Sequence, residues 1–292
     1  MDWSSLTLLL FCKQEFLKRG MKMWNIWRYE LRVTVRQRSY YSFLLLWIAV
    51  LSLLFLLQAS APSLTGYTNL TGTVVNIALY IIPLFMLIIG SFSITNEMEN
   101  GQWRLLTTYP LFSLAYIIGK IGGQFTAQFI VFTFSYGISL SIGLLMGNSF
   151  SGEWLLSIYF FSISLIFFFL VFGITVGCST STRWQALSIS VMIWFFLILI
   201  WPTALISVLG LVPYPWIFPL MKFGLFANPA EFLRVSFVIS LDGGAVFGQA
   251  YDSLMTFLGS SSGVLVNILY FIGFLTLMLL VSVCMLEWRK RR

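Results

Sequence analysis

Glu97 and Glu99 are the only carboxylates of this chain that stand close together, and Gly101 follows them. A carboxylate pair can share general acid–base work. Between two long apolar runs, the simpler role is a solvated or helix-capping one. No histidine is present, which removes the commonest general base and metal ligand and any Ser-His nucleophile. Cys12, Cys178 and Cys284 lie far apart and form no CxxC pair, so neither a zinc site nor a redox motif is readable. Reduced structural thiols near the inner side are expected. No GxxxxGK[ST] phosphate loop occurs, so the chain is not recognisable as an ATPase. Catalytic residues, metal ligands and cofactor-binding residues are therefore not expected in it.

The surroundings of these residues are membrane. The 292 residues are 59% hydrophobic and 9% charged, with a mean hydropathy of +0.92, whereas soluble domains carry about 25% charged residues. Apolar runs long enough to cross a bilayer predict six spans, at about 41–58, 74–94, 119–146, 154–177, 186–209 and 263–286. The expected fold is an all-α membrane protein. It comprises a cytoplasmic segment over 1–40, a six-span domain over 41–286 and a basic tail over 287–292. With the amino terminus inside, fifteen of the 17 Lys and Arg residues fall on inner segments, leaving only Lys222 and Arg234 outside. That bias predicts a multi-pass protein of the cell membrane with both termini cytoplasmic. The net charge of +7 flanks spans rather than forming a basic domain, so membrane lipids, not nucleic acid, are the expected partner.

Residues 22–38 read as an amphipathic elbow helix lying in the inner headgroup layer. Trp24, Trp27, Leu31 and Val35 share one face, and Arg28, Arg32 and Arg36 recur beside it. Before it, the run 6–11 is too short to span and lacks the features of a signal peptide, which suggests translation from Met21 or Met23. Residues 210–262 hold Pro213, Pro215, Pro219 and Pro229 and predict interfacial or re-entrant helices on the outer mouth of the bundle. GxxxG spacings at Gly119/Gly123, Gly143/Gly147 and Gly173/Gly177 permit close helix approach, within one subunit or across a dimer seam.

Ion-coupled transport normally needs charge within the spans. Only Lys120, read as sitting at the mouth of the third span, comes near. Energy must then come from outside the chain, and residues 95–120 are the place for it. Asn96, Glu97 and Glu99 read as the polar start of a short helix, Gly101 as a bend, Trp103, Leu105 and Leu106 as an apolar ridge beside Arg104, and Pro110 as its stop. Such a helix either docks in a groove of a soluble partner or lies on the membrane without one.

This segment resembles the hallmark of the ABC-2 type permease family of ABC transporters. In that family a glutamate-rich stretch leads through a Gly- and Leu-Leu-containing motif to a proline, and then to Gly-Lys at the third span. Glu97, Glu99, Gly101, Leu105, Leu106, Pro110, Gly119 and Lys120 match it, while Arg104 stands where an acid is frequent. The resemblance covers roughly residues 22–290 and implies a permease without its own engine. Two identical copies would form the pore, and cytoplasmic ABC ATPase subunits, holding ATP and Mg, would dock on the 97–110 coupling helix. Asn228–Arg234, NPAEFLR, resembles the segment before the last span in permeases serving copper-enzyme (nitrous-oxide reductase) maturation. That likeness implies an outer gate or a docking face for an extracytoplasmic partner at Asn228, Pro229, Glu231 and Arg234. A helix start with Asn228 as cap, Pro229 in the first turn and Glu231 at the positive end accounts for the same residues. An exporter of drugs, peptides or lipid-linked molecules is the alternative within transport. A membrane anchor or sensor is the alternative outside it.

Overall fold

The computed structural model describes residues 23–59, 69–103, 105, 112–146, 151–241 and 261–291. Gly147, Arg104, Leu106, Pro110, Cys12 and the rest of the first twenty-two residues, for which the sequence sets expectations, lie outside them. Among the described residues the chain is helical and contains no strand. Residues 23–36 form α1, followed by α2 (Arg38–Ala59), α3 (Asn69–Glu99), α4 (Ser113–Leu145) and α5 (Gly152–Ser179). Next come α6 (Arg183–Trp194), a π-helical segment (Phe195–Ile200) and α7 (Trp201–Leu211), which run on as one rod. Two short helices, α8 (Tyr214–Ala227) and α9 (Pro229–Ser240), precede the final α10 (Ser261–Lys290).

Among the described residues, five helices are long and apolar enough to cross a membrane: α3, α4, α5, the α6–α7 rod and α10. α2 coincides with the first expected span, although its described apolar stretch, Tyr40–Leu53, is shorter. Two boundaries move in a way that matters. α3 runs on to Glu99, so Asn96, Glu97 and Glu99 end a long helix rather than begin a short one. α4 begins at Ser113, so Lys120 lies two turns inside it rather than at its mouth. Sequence hydropathy registers only the apolar middle of a helix. The backbone stays helical past it as long as its polar ends find partners.

Local chemistry sets the other starts. The Ser151 hydroxyl accepts from the Trp154 N–H at the head of α5, and Thr182 accepts from the Gln185 N–H at the head of α6. Both are N-caps that satisfy an otherwise orphaned donor.

In a bilayer the apolar effect does not drive helices together, so close backbone approach and polar contacts must. α3 and α5 meet through glycines. A β-carbon on Gly173 would stand 2.5 Å from the Leu87 carbonyl oxygen, and one on Gly90 would stand 2.6 Å from that of Leu170. Gly119 and Gly123 play the same part between α4 and α1, against Ile26, Trp27 and Glu30. Two of the three GxxxG spacings therefore work within the subunit. α2 and α4 are joined by serines: Ser135 Oγ donates to Leu44 O, and Ser139 Oγ to Ile48 O. Aromatic rings join α5 to α10, with Phe168 edge-on to Phe271 at 4.5 Å.

Gly173→Ala should therefore cost about 1–3 kcal/mol of stability through overpacking, read as a lower melting temperature of the detergent-solubilised protein. Gly137→Ala, at a position with nothing within 4 Å, should leave that temperature unchanged or slightly raised.

Candidate functional site

The chain buries an ammonium group between two carboxylates. Lys120 is 2% exposed. Its Nζ lies 2.7 Å from Glu97 Oε1 at the end of α3 and 2.9 Å from Glu30 Oε2 on α1, and donates to the Ser93 carbonyl at 2.7 Å. All three donors of the lysine are thereby used. Tyr116, one turn earlier on α4, donates its hydroxyl to Glu97 Oε2. Gln124, one turn later, donates to Glu30 Oε1 at 2.7 Å and to Thr34 Oγ1 at 3.0 Å. α4 thus offers Tyr116, Lys120 and Gln124 on one stripe, to which α3 and α1 each bring a carboxylate.

Two carboxylates face one ammonium, so the cluster carries a net negative charge, spread by the tyrosine and glutamine donors. In a low-dielectric interior such pairs survive only where every partner is hydrogen-bonded. The geometry holds α1, α3 and α4 in one register.

The sequence-predicted residues divide around this cluster. Glu97, expected at a solvated helix start, is buried inside it. Lys120, expected as an anchor at the mouth of the third span, stands between Glu97 and Glu30. Glu99 instead turns outward and pairs with Arg183, at the head of α6, at 3.2 Å. Gly101 has φ +72°, a left-handed conformation that suits glycine and ends α3. Trp103 does not project as part of an exposed ridge. It is half-buried, with its ring 5.6 Å from that of Tyr116. Leu105, at 68% exposure, does project. Gly119 accommodates α1.

α1 differs from expectation as well. Leu31 and Val35 pack on the bundle core, and Trp27 Nε1 donates to Thr126 Oγ1 at 3.0 Å. Sequence reasoning missed Glu30, Thr34, Tyr116 and Gln124. A signal for them existed: Tyr116, Lys120, Gln124 and Gln128 recur every four residues through an apolar span, and Glu30 is the lone acid in a basic helix.

The second group lies at the other end of the bundle. Asn228 is fully buried. Its Oδ1 accepts from the Ala230 N–H at 3.0 Å, capping α9, and its Nδ2 donates to Leu197 O in the π-helical segment at 2.6 Å. Pro229 occupies the first turn, and Glu231 receives Arg234 Nη2 at 2.6 Å. The capping account is realised, with an added link to the α6–α7 rod. Asn228, Pro229 and Glu231 are buried, which leaves Arg234 the most accessible of the four.

Lys120→Met should strand two buried carboxylates and cost about 3–5 kcal/mol, seen as a large fall in melting temperature in detergent. Adding Glu30→Gln and Glu97→Gln to that variant should recover much of the loss. A Lys120→Met protein as stable as the wild type would show that the cluster does not hold the helices.

The comparisons with known proteins concern most of the chain. The profile of the family described as "ABC-2 family transporter protein" matches residues 24–287. The chain is 27% identical over 248 residues to the "Probable ABC transporter permease protein NosY" of Stutzerimonas stutzeri, covering 80% of this chain and 86% of that one. It is 26% identical over 241 residues to the protein of the same name from Pseudomonas aeruginosa, covering 77% and 85%.

Proposed function

The chain belongs to the ABC-2 family of transporter proteins, and from that premise we propose that it is the membrane-spanning permease subunit of an ABC transporter, driven by a separate cytoplasmic ATPase. It is a multi-pass membrane protein, and family members of this kind are membrane subunits rather than catalytic ones. The observation that carries the reading is the link from the segment after Gly101 into the bundle. Trp103 rests on Tyr116, Tyr116 donates to Glu97, and Glu97 and Glu30 share Lys120. A push on the segment around Leu105 is thereby delivered to α1, α3 and α4 together.

In this reading α2 completes a set of six spans, both termini are cytoplasmic, and α1 is the elbow helix. Two copies of the chain form the translocation path, and ATP and Mg are held by the ATPase. Closure of the ATPases on ATP moves the coupling segment and rocks the bundle between inward- and outward-facing states. α8 and α9 form the outer gate or the seat of an extracytoplasmic partner. Likeness to proteins named NosY, with the NPAEFLR segment, supports service in copper-enzyme maturation, namely that of nitrous-oxide reductase.

Co-purification tests the coupling. An ABC ATPase co-expressed with the wild-type chain should be retained on the tagged permease. Leu105→Asp should reduce that retention at least about tenfold, the equivalent of about 1.4 kcal/mol, with membrane insertion unchanged. Undiminished retention would remove Leu105 from the docking surface.

A further inference from the structure

At the end of the bundle remote from Lys120, α5, α9 and α10 line an open-sided cavity of about 480 Å³. Its walls are mainly aromatic, with Phe160, Phe161 and Phe168 from α5, Phe237 from α9 and Tyr270 and Phe271 from α10. This volume is in the range of small-molecule sites. From Leu156 to Phe168 the wall extends about 18 Å along α5 at about 1.5 Å per residue. That is close to half of an apolar core about 30 Å thick. The cavity therefore has the length of one leaflet's acyl chain and the lining to receive it.

Its polar groups are Ser157 and Ser164 of α5, Ser236 and Ser240 of α9 and Asn267 of α10. Ser157 on α5 and Asn267 on α10 each lie within about two turns of the start of their helix, at the shallow end of the space. Ser236 Oγ donates to Asn267 Oδ1 at 3.1 Å, which fixes the amide and leaves its N–H groups without a partner among the described residues. The Ser157 hydroxyl is likewise unpartnered among them. An amide donor that faces lipid gains from an acceptor there. The group that lies at this level in a lipid leaflet is the ester carbonyl.

We propose that this cavity is a binding site for one acyl chain of a glycerophospholipid, with Asn267 and Ser157 donating to its ester carbonyl and the phenylalanine walls holding the chain. The proposal needs only residence in the membrane, not an ATPase, so it stands or falls separately from the coupling reading.

The test is photolabelling of the full chain in nanodiscs containing phosphatidylethanolamine with a diazirine in mid-acyl chain, followed by peptide mapping. Adducts should concentrate on the Leu156–Phe168 and Asn267–Phe271 peptides and be displaced by unlabelled phosphatidylethanolamine. Adducts on the open face of α4 around Phe134 report unspecific lipid contact. Ser164→Phe, which fills the cavity, and Asn267→Leu, which removes the amide donor, should each lower the cavity adducts. The expected loss is about fivefold, the equivalent of about 1 kcal/mol, with the Phe134 adducts unchanged. Equal labelling of cavity and Phe134 face, or cavity labelling indifferent to both substitutions, would overturn the site.

Discussion

A lysine ammonium taken out of water must be matched where it stands, and the inner half of this bundle is organised around that requirement. Desolvating one such ion costs several kcal/mol even after relaxation. Lys120 recovers it only by having Glu30, Glu97 and the Ser93 carbonyl within reach simultaneously. The acceptors come from two different elements, α1 and α3, so the lysine ties both to α4. α1 has only a shallow apolar face against the bundle, and the end of α3 has passed beyond its apolar stretch. The ion cluster therefore does more than stabilise: it gives three elements a single permitted arrangement.

The rest of the packing is consistent with one stiff unit joined to looser ones. α3 and α5 approach to backbone contact through Gly90, Gly173 and Gly177, which leaves no room for shear. α6 joins them by Ser190, whose hydroxyl reaches Ser91 Oγ at 3.2 Å. Further along, the α6–α7 rod has little burial of its own, and Asn228 ties its π-helical segment to α9. Displacement of α1, α3 and α4 would be carried along the stiff pair.

Much of this was legible in the amino-acid sequence, for reasons that also explain what was not. Hydropathy locates the middles of helices because the bilayer imposes a minimum apolar length, and the expected spans over 74–94 and 154–177 fall inside α3 and α5. It misplaces their ends, because Asn96, Glu97 and Glu99 are polar yet remain helical. The cap at Asn228 was readable because a cap is local: donor and acceptor lie within one turn. The cluster was not, because Glu30, Glu97 and Lys120 are distant in sequence and only tertiary packing brings them together. Lys120 read as an edge residue for the same reason that Glu97 read as solvated: each was judged alone. Trp103 and Leu105 show the same limit. They belong to one apolar ridge in sequence, but in the structure one lies against Tyr116 and the other stands exposed.

The cluster also bears on how the protein is made. α1 and α3 leave the ribosome before α4, so Glu30 and Glu97 reach the membrane surface with no cation assigned to them. Glu97, at the end of α3, and Glu30, on the basic helix α1, can wait there hydrated. Lys120 cannot wait in the same way. It sits two turns within α4, where lipid would charge it a penalty of a few kcal/mol as a lone ion. The final surroundings of Lys120 are therefore completed by its neighbours, when the two earlier carboxylates close on the lysine. The chain is in this sense assembled by back-reference, each early segment holding a charge that only a later one can neutralise. A truncation before α4 would leave an incomplete charge set at the membrane rather than a smaller version of the same fold.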